Sequence, residues 1–197
     1  MSAEEQAKKK SDLVKREFID AAKAIILRDG VLSVTVRKIA VATGYSYATI
    51  YHYFKDLDSL LIAVKERMVE DVMIHMTSAE TPSFRDVADI QRMNRMYVQF
   101  YLDNPHIYEF FYTYRFTHET NPNYDLRFQD GWALAYESFV KNGVLRKEDV
   151  ATVAKTIIYT IHGLLALYFS SNGLTKEALF QDMDDIVEVL FQRRGTT

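Results

Sequence analysis

Apolar side chains recur every three to four residues along most of this chain, the spacing that gathers them on one face of an α-helix. A first amphipathic helix is predicted from about Ser11 to Arg28. Further helices are predicted at about 57–76, 84–102, 106–116, 124–141, 147–171 and 175–193. Together with two short helices between residues 35 and 54, this pattern predicts an all-α protein of about nine helices.

The first of the two short helices begins after Thr35, whose hydroxyl is placed to cap it. Its inward positions are the apolar Val36, Ile39 and Ala40. Arg37 and Lys38 fall on another side of the same helix. Gly44 follows it and permits a sharp backbone turn.

The second short helix begins after Ser46, which is also a capping residue. Ala48 and Ile50 are expected to pack inward. The other positions supply polar tips for grooves and phosphates: Tyr47, Thr49, Tyr51 and His52. Two short helices around a glycine turn are typical of a DNA-binding helix-turn-helix, whose second helix reads the major groove.

These motifs resemble those of the tetracycline-repressor (TetR) type of bacterial transcriptional regulators. The similar stretches are TVRKIA at 35–40, TGYS at 43–46 and TIYHYFKD at 49–56, followed by Leu60-Leu61. The resemblance covers roughly the first third of the chain, and the remainder is similar only in length and helical character. It implies a three-helix DNA-binding domain over residues 1–55 and a helical effector-binding and dimerisation domain over residues 56–197.

The resemblance, together with side-chain chemistry, divides the candidate DNA-binding residues into two sets. Candidates for base edges are Tyr47, Ala48, Tyr51 and His52. Candidates for phosphates are Thr35, Lys38, Ser46, Thr49, Tyr53 and Lys55, and Arg37 is suited to either partner. Because tyrosines at helical spacing are often packing residues, Tyr45 is assigned, with Phe54, to the core. Many family members carry a basic residue where this chain has Leu57, so one phosphate contact is expected to be missing.

The charge distribution is consistent with a DNA-binding first third. The chain carries a net charge of −3, but residues 1–65 hold 11 Lys and Arg against 8 Asp and Glu. The run Lys8-Lys9-Lys10 has two interpretations. It is a basic arm on the DNA or, as we favour, a solvated and frayed leader.

Large amphipathic side chains crowd the middle of the chain. Enclosed between helices, they would wall a pocket for a small hydrophobic or aromatic effector. The candidates are Met93, Met96, Tyr97, Phe100, Phe110, Phe111, Tyr114, Trp132, Tyr136, Tyr159 and His162. The alternative is an aromatic core without a cavity. An inward Glu109, Glu119 or Glu137 would favour a cationic effector.

Several kinds of chemistry lack a sequence signal here. There is no cysteine, and the histidines have no short metal-ligand spacing, so neither a metal nor a cofactor is expected. No catalytic spacing or glycine-rich phosphate loop points to an enzyme. The leader MSAEEQAKKK is not a signal peptide, and the apolar stretch 157–169 is too short for a bilayer. We therefore expect a cytoplasmic protein with no membrane partner.

The function implied by the resemblance is that of a homodimeric repressor. The dimer would form through the last two helices, bind a palindromic operator in double-stranded DNA, and leave it when an effector binds. Two alternatives remain open: a helical small-molecule-binding protein or enzyme that uses the aromatic pocket directly, and a regulator that acts as an activator.

Overall fold

The computed structural model describes residues 2–77, 84–117, 136–171 and 173–192. Within these ranges every regular element is a helix, which confirms the all-α class. Most of the helix predicted at 124–141 lies outside the described residues, as do Trp132 and Glu119. The chain divides into two compact units, one holding residues 1–76 and 103–120, the other 77–102 and 121–197. The predicted domain boundary after residue 55 stays a prediction.

The first unit begins with α1 (Ala3–Asp29) and a 3₁₀ turn (Val31–Ser33). It continues with α2 (Val36–Thr43), α3 (Tyr47–Tyr53) and α4 (Leu57–Thr77). Its last elements are α6 (Pro105–Tyr108) and a π-helical turn (Glu109–Thr113). The helix expected over 106–116 is therefore a short α-helix followed by a π turn.

Helix α1 starts eight residues earlier than the apolar pattern predicts. Ser2 and Glu5 form a capping box, in which Ser2 Oγ accepts from the Glu5 N–H at 3.2 Å and Glu5 Oε2 accepts from the Ser2 N–H at 2.7 Å. Lys8, Lys9 and Lys10 are consequently exposed residues inside a helix, and the favoured interpretation as a frayed leader is wrong.

The core of the first unit lies among α1 to α4. Phe18 of α1 is fully buried and its ring meets Tyr45 and Tyr53 edge-on, at centroid distances of 5.2 and 5.8 Å. Ile39 from α2 and Ile50 from α3 are also buried. This packing holds the two short helices against α1. They need it, because helices this short are not stable on their own in water.

The segment that contains Phe111 and Phe116 also belongs to the first unit. Lys65 of α4 donates to the Phe111 carbonyl at 3.0 Å, and its ammonium lies 5.5 Å from the centre of the Phe116 ring. At the end of α1, Gly30 has a φ of +82° and lies against α6. A Cβ there would be 3.1 Å from His106 Nδ1 and 3.3 Å from Glu109 Oε2.

The second unit contains α5 (Val87–Asp103), α7 (Glu137–Lys141), a 3₁₀ turn (Lys147–Asp149), α8 (Val150–Phe169) and α9 (Lys176–Gln192). Helices α8 and α9 pack against each other. One apolar face of α8 is buried in this core: Val153, Ile157, Ile161, Leu164 and Leu165.

Helix α9 carries apolar side chains on two faces. Its buried positions are Leu179, Met183, Val187 and Phe191. Ile186 and Val189 are 36% and 46% exposed. A helix with two apolar faces gives a sequence pattern in which either face satisfies the helical period, so periodicity alone cannot choose the inner one.

The stretch Lys147–Phe169 is 23 residues long and contains an 18-residue window with a mean hydropathy of 1.5, enough by length and composition alone to cross a membrane. The prediction that this apolar stretch is too short for a bilayer is wrong by length, because the apolar helix begins at Val150 rather than at Ile157. About one third of the apolar window is buried within the protein (33%).

Candidate nucleic-acid interface

The turn between α2 and α3 has the geometry that the sequence predicts. Thr35 Oγ1 accepts from the Lys38 N–H at 3.2 Å and caps α2. Gly44 has a φ of +75°, and its N–H donates to the Ala40 carbonyl at 2.9 Å. Ser46 Oγ accepts from the Thr49 N–H at 3.1 Å and caps α3. Each helix end is thus fixed by its own residues, which sets the direction in which α3 leaves the turn.

One side of α3 is inward and the other is open. Ile50 is 2% exposed, whereas Ala48 is exposed, so the expectation that both pack inward is wrong for Ala48. Two residues along an α-helix are separated by about 200° of rotation. Ala48 must therefore face away from the core when Ile50 faces into it.

Four exposed residues of α3 form two neighbouring rows, which we call the reader face: Tyr47, Ala48, Tyr51 and His52. Tyr47 and Tyr51 are four residues apart, as are Ala48 and His52, so each pair stacks along the helix. The two tyrosines are 50% and 52% exposed. All four candidates for base contacts therefore lie on one surface. Large aromatic side chains left half exposed are consistent with a binding surface.

The phosphate candidates are placed unequally. Thr35, Arg37, Lys38, Ser46 and Lys55 are exposed. Thr49 is half-buried, and its hydroxyl is 2.9 Å from that of Ser46. Tyr53 is half-buried beside Phe18. The exposed cations are therefore better placed for phosphate than Thr49 or Tyr53.

Tyr45 and Phe54 pack in the core, as expected. Phe54 is 5% exposed, and the Lys15 ammonium lies 5.4 Å from the centre of its ring. The Tyr45 ring contacts Phe18, and a hydrogen bond to the Glu17 carboxylate, assisted by partial burial, raises the pKa of its hydroxyl.

Helix α4 begins with a reciprocal cap. Asp56 Oδ1 accepts from the Ser59 N–H at 2.8 Å, and Ser59 Oγ accepts from the Asp56 N–H at 3.1 Å. Leu57, the position where family members often carry a basic residue, is the first residue of this helix and is half-buried.

The predicted pocket residues are divided between the two units. Phe110, Phe111 and Tyr114 belong to the first unit, where Phe110 contacts Tyr114 and Phe116. In the second unit, Tyr97 is buried and its hydroxyl lies 3.1 Å from His162 Nε2. Also in the second unit are the fully buried Tyr136 and the half-buried Met93 and Phe100.

Two predicted pocket residues face solvent instead. Tyr159 is 66% exposed and Met96 is 50% exposed, so neither lines the core of its unit. Of the glutamates that would favour a cation, Glu137 is exposed and pairs with Lys141 at 3.1 Å. Glu109 is in the first unit, 3.8 Å from His106.

Asn94 is absent from the predicted pocket residues, although it is fully buried on α5. Its position was readable in the sequence, since it shares a helical face with Ile90, Tyr97, Val98 and Tyr101. A polar residue on an otherwise apolar face was the available signal.

Comparison with known proteins agrees with this geometry. Residues 18–64, which span α1 to α4, match the sequence profile described as bacterial regulatory proteins, tetR family. The HTH-type transcriptional regulator BetI of Brucella abortus is 37% identical over 92 residues, 45% of this chain and 46% of that protein. BetI of Rhizobium meliloti is 35% identical over 75 residues, 36% of this chain and 37% of that protein. The aligned region thus spans less than half the length of these curated relatives.

Solved structures share the fold over most of the chain. RolR, solved in complex with resorcinol, has a TM-score of 0.70 at 17% identity, covering 93% of this chain and 89% of that one. A TetR-family regulator from Syntrophomonas wolfei has a TM-score of 0.65 at 15% identity, covering 90% and 94%.

The turn, the capped reader helix and the profile match define a helix-turn-helix protein. Residues 18–64 match the profile of the tetR family of bacterial regulatory proteins, which confirms the resemblance stated above.

Proposed function

We propose that the chain is a transcriptional regulator that binds double-stranded DNA as a homodimer and is released by a small hydrophobic or aromatic effector. The reader face carries this proposal. Tyr47, Ala48, Tyr51 and His52 present hydroxyls, a methyl group and an imidazole on one open side of a short helix, which suits the mixed polar and apolar edge of the major groove. As a protein that acts on the bacterial chromosome, it would work in the cytoplasm without a membrane partner.

The charges around the reader face support contact with the DNA backbone. Arg37, Lys38 and Lys55 are exposed at the start of α2 and just after α3. Phosphate contacts of this kind orient a reader helix, while its exposed side chains discriminate between bases. Each neutralised phosphate also makes binding weaken as salt rises.

Dimerisation is supported by apolar side chains that the second unit leaves exposed. On α8, Tyr159 and Leu167 are 66% and 49% exposed, with Gly163 exposed between them. On the neighbouring α9, Ile186 and Val189 are also exposed. Because α8 and α9 pack together, a second copy related by a two-fold axis would bury these side chains in a four-helix bundle. A two-fold dimer reads a palindrome.

The effector proposal rests on the aromatic core of the second unit and on the fold it shares with RolR, which was solved with resorcinol. An effector acts on DNA binding only through a difference in its affinity for the two conformations of the regulator. For a repressor, the effector must bind more tightly to the conformation whose two readers do not fit both half-sites.

The test is selection from a randomised duplex DNA pool with the purified full chain, followed by sizing of the selected complex. A palindrome bound by a dimer or a pair of dimers is the expected result. A monomeric complex would overturn the dimer, and no enrichment at low salt would overturn DNA recognition itself. Transcription in vitro from a promoter containing the selected site then separates repression from activation by its sign.

A further inference from the structure

Asn94 is the one fully buried amide among the side chains that the structure describes in α5. It is 0% exposed, and neither its Nδ2 nor its Oδ1 has a hydrogen-bond partner among the described residues. Burying an amide without partners removes its bonds to water and returns nothing, so native proteins seldom keep one without another use for it.

The neighbours of Asn94 on the buried face of α5 are apolar or aromatic. One turn further along the same face of α5 are Tyr97 and Val98, both buried, and Tyr101 is a turn beyond them. The Tyr97 hydroxyl lies 3.1 Å from Nε2 of His162 on α8, and the rings of Tyr97 and Tyr101 are 5.0 Å apart. A few polar groups set in aromatic walls are the usual composition of a small-molecule site.

Two largely buried carboxylates, one on α5 and one on α9, are paired with arginines at the surface of this unit. Asp89 accepts from Arg85 at 3.0 Å and pairs with Arg92. Asp184 of α9 pairs with Arg95 of α5. A cationic ligand would therefore compete with an arginine for either carboxylate, and an anionic ligand would compete with a carboxylate for the arginine. A neutral ligand displaces neither pair.

We infer that Asn94 is the recognition group for a neutral effector that presents a hydrogen-bond acceptor and a donor side by side. Its Nδ2–H would donate to the acceptor and its Oδ1 would accept from the donor, which satisfies both atoms at once. This inference rests on the proposal that the second unit binds an effector, and it specifies the chemical class of that effector.

The test uses four probes of similar shape, titrated at millimolar concentration into the full chain without DNA. Benzamide is neutral and carries the acceptor and donor, benzamidinium is its cationic analogue, benzoate is its anionic analogue, and toluene has no polar group. Benzamide is expected to bind about tenfold more tightly than each of the other three. Equal binding of all four, or no binding of benzamide, would overturn the inference.

The variant Asn94→Leu, nearly the same size but apolar, is expected to reverse the preference so that toluene binds better than benzamide. Without any probe its melting temperature should stay the same or rise, because two unpartnered polar atoms leave the core. A lower melting temperature would show that the amide has a structural partner and would overturn the inference. Asn142→Leu, at an exposed asparagine of the same unit, is the matched control and should keep the wild-type order of probes.

These titrations contain no DNA, so their outcome is independent of operator selection. A chain that prefers benzamide but selects no DNA would retain the recognition role of Asn94 and refute the proposed regulator. A chain that selects a palindrome but shows no preference among the probes would retain the regulator and refute the role of Asn94.

Discussion

Replacing Tyr51 by alanine separates the reading of DNA from the stability of the domain that reads it. Tyr51 is 52% exposed on the reader face, and its chain neighbour Ile50 is 2% exposed on the side of α3 that faces the core. The two positions share one helix and one turn. They therefore differ mainly in whether the side chain faces DNA or the core.

Loss of a base contact costs about 1–3 kcal/mol per protomer, so a dimer that loses both contacts should bind its selected palindrome about 2–6 kcal/mol more weakly. The free energy of unfolding should fall by less than about 1.5 kcal/mol, because half of the Tyr51 side chain already meets solvent and alanine is the better helix former. Ile50→Ala should instead lower the free energy of unfolding by about 2–5 kcal/mol.

Both quantities are measurable on the same preparations, by fluorescence anisotropy with the palindrome and by urea unfolding. Tyr51→Phe adds a finer comparison, since it keeps the ring and removes only the hydroxyl. Unchanged affinity in Tyr51→Ala would remove Tyr51 from the reader face. An affinity loss matched by a loss of unfolding free energy as large as that of Ile50→Ala would show that Tyr51 supports the fold.

Four further perturbations test other parts of the molecule. Lys55→Ala should weaken binding to all DNA sequences alike and reduce the slope of log affinity against log salt by about one per protomer, and loss at a single base position would exclude a phosphate role. Ser46→Ala removes the cap of α3 and should lower the free energy of unfolding by about 0.5–2 kcal/mol in urea titration; no change would mean that the cap is dispensable. The variant I186E/V189E should convert the dimer to a monomer in light scattering, and a persistent dimer would place the interface elsewhere. Hydrogen bonds from Arg85 lower the pKa of Asp89 to about 2, so the carboxylate's contribution to stability is complete above the usual aspartate pKa of about 4 and is lost as pH falls from about 4 to 2. Asp89→Asn should therefore reduce the fall in melting temperature between about pH 4 and pH 2, and an unchanged fall would refute the assignment.

The parts of this molecule that follow from the sequence are those fixed by neighbouring residues. The caps at Thr35 and Ser46 and the turn at Gly44 each depend on contacts within four residues, and all three are as predicted. The start of α1 is equally local, because the Ser2 and Glu5 capping box fixes it. The apolar pattern begins only after this polar box, so it predicts a start that is too late.

Tertiary packing decides what a helical pattern in the sequence leaves open. Ile186 and Val189 fit a helical stripe as well as Met183 and Val187 do, and only the position of α9 against α8 decides which pair is inside. The π turn after Tyr108 is likewise a feature that no periodicity marks. Membership of a pocket depends on side chains from distant segments, which explains why Met96 and Tyr159 were misplaced.

Residues Pro105–Thr113 bear on any attempt to build sensors by grafting this reader onto another protein. They pack in the same unit as α1 and α4, and a Cβ at Gly30, at the end of α1, would lie 3.1 Å from His106 Nδ1, so that side chain would have to shift. A fusion cut after residue 55 would strip the reader of surfaces formed by a stretch fifty residues downstream. The protein that receives the reader should therefore contain a stretch compatible with residues 105–113, and the glycine at position 30, which that stretch contacts, should be kept. Otherwise, hybrids in which this stretch does not fit the reader would fail to fold, whatever effector their body binds.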